Sequence, residues 1–271
     1  MDDKGKRQEL TETYIRESCG LKEEDMPAVI SYVEALKIAA QFGREVEALF
    51  PGKIAAVFAI GSLGSDYYRP GQSDIDTAVI TGFSRKDIAA VTEKIEKIAD
   101  SYQKRYHVPK GFGAVVFARE QLYPPYVKEE ELVQEILRLK CRSRPVFGAF
   151  DTRDIPMPDR EALRNDILHF QEWADSQPCP VRNAVTMVNS TLIALKRYLL
   201  LKYQIAEFNK FKVIDLYLTH EPPMVNQEIF DFITRFLNGQ PCEWDDEICR
   251  RYAGWHDELY WVINEQVLYK T

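Results

Sequence analysis

GSLGSDYYRPGQSDID, residues 61–76, decides how the first half of this chain folds. It is preceded by the apolar run Ile54–Ile60 and leads into a second apolar run, Ile75–Ile80. Short apolar runs bounded by glycine read as buried strands, so the stretch is a loop joining two strands. Its two ends are chemically distinctive. Gly61 and Ser62 close the first strand where a Cβ would obstruct close approach. Asp74 and Asp76 flank Ile75, and strand alternation turns both carboxylates to one face.

Working outward, apolar residues recur at helical spacing from Met26 to Leu49 until Pro51-Gly52 stops the pattern. Ser84 to Tyr106 has the helical period again, with Ser84 as cap and Asp87 in the first turn, where a negative charge suits the helix dipole. Gly113–Ala118 gives a third strand. Helix, strand, turn, strand, helix, strand predicts a mixed sheet with helices packed on it. Beyond Tyr123-Pro124-Pro125 the patterns turn helical: Val127–Cys141, Arg160–Trp173, and then almost everything after Pro180. The expected fold class is α+β, with a mixed-sheet domain over 1–125 and an all-helical domain over 126–271.

Hydrophobic and charged contents of 45% and 28% are those of a globular chain. Five scattered cysteines with no C-x-x-C pair argue against a disulfide framework, and four dispersed histidines make no zinc-site spacing. The start MDDKGKRQEL carries no apolar run, and no stretch reads as a membrane span, which makes the expectation a cytosolic protein. A net charge of −7 weighs against a long nucleic-acid surface and favours a small-molecule partner.

Two carboxylates held on one face repel unless a cation joins them. Magnesium, a hard ion that prefers oxygen ligands, is the usual choice where phosphates are present. Gly61, Ser62 and Ser73 offer backbone N–H and hydroxyl donors for such a phosphate. Strand, Gly-Ser, eleven residues, Asp-x-Asp, strand: this combination resembles the nucleotidyltransferase superfamily that includes DNA polymerase beta. EILRLKCRSRPVFG (135–148), DIPMPD (154–159) and Arg182 to Thr186 narrow the resemblance to the aminoglycoside adenylyltransferases acting on streptomycin and spectinomycin. That resemblance implies a magnesium-dependent enzyme, with one or two ions on Asp74 and Asp76, transferring AMP from ATP to a hydroxyl of a small acceptor. It also implies that a lysine of the helical domain, five residues before an aspartate, reaches the ATP phosphates; Lys210, with Asp215, matches.

Three positions depart from the family. A third acidic residue belongs at the opening of the third strand, where Gly111, Phe112 and Gly113 stand. Glu120 shares a face with Phe112, but eight residues on, at roughly 3.3 Å each, it lies about 26 Å away. Ser190 and Pro180 replace an arginine and an acidic residue associated with the acceptor, and Lys196 or Arg197 could supply the missing positive charge. The alternative expectation is a nucleotide-binding sensor with weakened catalysis.

Overall fold

The computed structural model describes residues 29–65, 67–108, 110–126, 132–176, 184–221, 227–263 and 265. Pro180, Arg182 and Asn183, the start of the helix expected from Met26, and most of 127–132 lie outside them. The chain divides into two compact units, Met1–Pro125 with Glu135–Met157, and Tyr126–Gln134 with Pro158–Thr271.

In the first unit, helix α1 (Tyr32–Leu49) starts where a capping box forms. Ser31 Oγ accepts from the Glu34 N–H (3.3 Å), and the Glu34 carboxylate accepts from the Ser31 N–H (2.9 Å). Its buried face is Ala35, Ile38, Ala39, Phe42 and Val46. Strands β1 (Ile54–Ile60), β2 (Ile75–Thr81), β3 (Phe112–Ala118) and β4 (Arg144–Gly148) form one sheet in the order β3-β2-β1-β4. β1 is antiparallel to both β2 and β4, whereas β2 and β3 are parallel. A parallel pair needs a crossover, and helix α2 (Ile88–Tyr106) is that connection. Val57, Ala59, Ile75 and Val79 share a core with residues of α1 and α2. Phe42, Tyr102 and Phe112 meet there with ring centroids 4.9–5.5 Å apart.

Two local differences from the sequence expectation have simple causes. Ser84 does not cap α2: its hydroxyl donates to Asp87 Oδ2 (2.6 Å) in a turn, and the helix begins at Ile88. RPVFG, residues 144–148, lies among helical patterns yet is the strand β4. Five residues are too few to show a period, and Pro145 is tolerated because β4 is an edge strand with a single neighbour. It is reached from helix α3 (Val133–Cys141).

The described part of the second unit is helical: α4 (Arg160–Asp175), α5 (Ala184–Tyr203), α6 (Lys210–His220), α7 (Gln227–Leu237) and α8 (Asp246–Ile263). α5 is buried nearly all round, from Met187 to Leu200, as expected of the helix at the centre of a core. By length and composition it could cross a membrane, which the sequence did not suggest because Lys196, Arg197 and Lys202 interrupt it. Two thirds (67%) of its most apolar window is buried within the protein. Its polar side chains are paired across the unit. Ser190 Oγ lies 2.9 Å from both His256 Nε2 and Tyr260 Oη, and Thr191 Oγ1 lies 2.9 Å from Tyr252 Oη. Tyr252, Trp255 and Tyr260 pack in this core, while Trp261 is exposed.

Candidate active site

β1 ends at Ile60, and the chain turns at Gly61 with φ of +61°, a conformation that a side chain disfavours. Gly61–Gly64 is then a single helical turn. Pairing places Ile60 opposite Asp76 and Asp76 beside Gly113, so Asp76 sits at the rim where β1 ends and β2 and β3 begin. It points away from the face that α1 and α2 cover. A Cβ on Gly61 would come within 2.9 Å of Asp76 Oδ2, and one on Gly113 within 2.8 Å of Oδ1. The carboxylate occupies the space that two glycines leave on either side of it.

Beside this seat, the hydroxyls of Ser62 and Ser65 are buried without a hydrogen-bond partner among the described residues. A buried hydroxyl left unpaired costs about 1–3 kcal/mol, which a ligand oxygen would relieve. Ser73 closes its own loop: its Oγ accepts from the Arg69 N–H (3.0 Å) and its N–H donates to the Arg69 carbonyl (2.9 Å). Among the described residues the hydroxyl hydrogen of Ser73 is not donated. Asp74, half-buried, precedes β2 by one residue. With burial as the larger cause, Asp74 and Glu34 push the Tyr68 hydroxyl up to about 12. Tyr68 itself is a packing residue, donating to the Ile30 carbonyl (3.3 Å) with its ring 6.0 Å from that of Tyr32.

Glu120 is not at this site. It follows the far end of β3, where Ala118 pairs with Thr81, and its carboxylate accepts from the Arg85 N–H (2.6 Å). The position beside Asp76 on the third strand is Gly113. Neither is Arg197 an exposed charge: its Nε donates to Asp166 Oδ2 (2.6 Å) with the two side chains 1% and 4% exposed, so the role considered for it as a replacement acceptor contact falls away. Lys196 is buried on the same helix. In the second unit Lys210 opens α6, whose cap Asn209 accepts from the Phe211 and Lys212 N–H groups.

Arg138 and Glu135 of α3 were not singled out from the sequence. Arg138 Nη1 donates to both Glu135 oxygens, at 3.1 and 3.2 Å. Burial opposes the charge of the guanidinium, yet Glu135, Asp76 and Tyr67 together hold it above its ordinary value. An E-x-x-R pair in an amphipathic helix looks like any surface ion pair until the helix is docked.

No group of three His, Cys, Asp or Glu side chains occurs among the described residues. Magnesium suits what is present. This ion is commonly held by one or two carboxylates and completes its shell with phosphate oxygens and water, a demand that the carboxylates of Asp74 and Asp76 match in donor type.

No family model and no curated protein matches the sequence. Among solved structures, the chain is similar to spectinomycin adenyltransferase AAD(9) from Enterococcus faecialis, determined with ATP and spectinomycin. The TM-score is 0.59 at 13% identity, over 84% of this chain and 98% of that one. The likeness first visible in the Gly-Ser and Asp-x-Asp stretch extends to the architecture, and the chain has a nucleotidyltransferase-like α+β fold.

Proposed function

We propose that the protein is a magnesium-dependent nucleotidyltransferase that moves a nucleoside monophosphate, AMP from ATP, onto a hydroxyl of a small acceptor and releases pyrophosphate. The seating of the Asp76 carboxylate between Gly61 and Gly113, next to the unpartnered hydroxyls of Ser62 and Ser65, carries this reading. The structural neighbour, which was solved with ATP and an antibiotic, supports the choice of nucleotide and of a small acceptor.

Asp74 and Asp76 would hold the metal, which when bound neutralises phosphate charge and polarises the P–O bonds. Gly61, Ser62 and Ser73 donate to the triphosphate. Catalysis of this kind is chiefly orientation and charge stabilisation by groups already in place.

Calorimetry with ATP and magnesium, joined to a pyrophosphate-release assay over a panel of hydroxylated acceptors, tests the proposal. Binding with release for at least one acceptor is the expected outcome. Gly113, standing where the family carries an acidic residue, favours a second reading, a nucleotide sensor; binding without release across the panel would select it.

Gly113→Ala probes the seat itself. Adding a methyl group against a close-packed neighbour costs about 1–3 kcal/mol, and here the neighbour able to yield is Asp76 Oδ1. Mg-ATP affinity is expected to fall roughly tenfold, a change of about 1.4 kcal/mol, with the far-ultraviolet circular dichroism unchanged. Wild-type affinity in this variant would remove Asp76 from the contact.

A further inference from the structure

We propose that Arg138 is a phosphate-binding residue of this site, held by Glu135 so that its guanidinium meets the part of the triphosphate that leaves as pyrophosphate. The proposal rests on the nucleotidyltransferase reading above.

Placement is the first argument. α3 runs into the sheet through β4, and its end is pressed against the glycine turn. A Cβ on Gly64 would lie 2.5 Å from the Arg142 carbonyl oxygen and 2.6 Å from that of Ala59, so only glycine lets these backbones approach. The Arg142 N–H donates to the Arg138 carbonyl (2.9 Å), which sets Arg138 one helical turn back from the docking point. Asp76 is the carboxylate, besides Glu135, whose charge favours its guanidinium. All of these residues belong to the first unit.

Chemistry is the second. A guanidinium has five N–H donors and no acceptor, so it cannot ligate a metal. Within the electrostatic reach of a carboxylate assigned to a cation, its natural ligand is the anion sharing that cation. Among the described residues Arg138 donates from Nη1 only, to Glu135, which leaves Nε and Nη2 to make the forked contact that guanidinium gives phosphate. Both side chains are largely covered, at 26% and 21% exposure, so the Glu135 pair fixes the direction of the fork. Glu135 also offsets part of the positive charge that would otherwise draw Arg138 onto Asp76.

Arg138 arrives from the side of the glycine turn, whose Gly61 and Ser62 are proposed above to donate to the triphosphate, and not from β3. In the transfer, an acceptor oxygen forms a bond to the α-phosphorus as the bond from that phosphorus to the bridging oxygen breaks. The electron pair departs on pyrophosphate, and the acceptor proton passes to water. Arg138 neutralises the negative charge that grows on the leaving group.

Calorimetric titration of the full chain with inorganic pyrophosphate in magnesium, and separately with AMP, tests this in the wild type, Arg138→Gln, Arg138→Lys and Asp76→Asn. A charge-assisted contact of this kind corresponds to roughly 10- to 100-fold in affinity. Arg138→Gln is expected to lose that much for pyrophosphate and nothing for AMP. Arg138→Lys, a point charge without the fork, is expected to fall between. Unchanged pyrophosphate affinity in Arg138→Gln overturns the proposal, and so do equal losses for both ligands, which would mark a structural role. If Arg138→Gln does not fold, wild-type pyrophosphate affinity in Arg138→Lys overturns it instead. Should Asp76→Asn lose magnesium-dependent binding while Arg138→Gln keeps it, Arg138 fails and the nucleotidyltransferase reading stands. A wild type that binds neither ATP nor pyrophosphate defeats both.

Discussion

Asp76→Asn is expected to lower magnesium-dependent nucleotide turnover by at least about 10²-fold, the scale seen when one electrostatic contact to a transition state is removed. The substitution keeps size and shape, so the amide fits between Gly61 and Gly113 as the carboxylate does, whereas its charge is gone. Loss of the charge also weakens the attraction to the Arg138 guanidinium, and the thermal midpoint is expected to hold or fall slightly. Steady-state pyrophosphate release and a thermal melt on the same preparation separate the two effects. Full turnover in a folded Asp76→Asn protein would falsify the assignment of the metal site.

Arg197→Met is expected to carry the largest stability loss, about 3–5 kcal/mol, because it strands the Asp166 carboxylate in a nearly solvent-free position. The pair itself is not the source of net stability. Arg197 Nη2 is buried with no partner among the described residues, and desolvating two charges offsets most of their attraction. The double variant Asp166→Leu, Arg197→Met should therefore recover most of the loss, which a urea-melt double-mutant cycle reads directly. If Arg197→Met instead melts as the wild type does, the pair is not the buried contact described, and Arg197 becomes available for a ligand.

Much of this site could be seen in the sequence because its parts are local. A Gly-Ser turn closing one strand and an Asp-x-Asp opening the next lie within sixteen residues, and strand alternation predicts a common face for the two carboxylates, of which Asp76 is a residue of β2 and Asp74 precedes it. Residues whose place depends on distant pairing were harder. Ser65 is one more serine in a loop until its hydroxyl is seen buried and unpartnered. Arg197 carries a charge that suggests a surface, and only the packing of α4 on α5 brings Asp166 to it.

The chain by itself determined the two buried strands, the rim on which Asp76 stands, and the helical character of most of the second half, since each follows from period, turn chemistry and short-range alternation. Tertiary structure alone decided that Gly113 flanks Asp76, that the Glu120 carboxylate is taken by the Arg85 N–H, and that 144–148 returns to the sheet as β4. Register between strands and the docking of a helix are settled by contacts between segments tens of residues apart, and no local pattern encodes them.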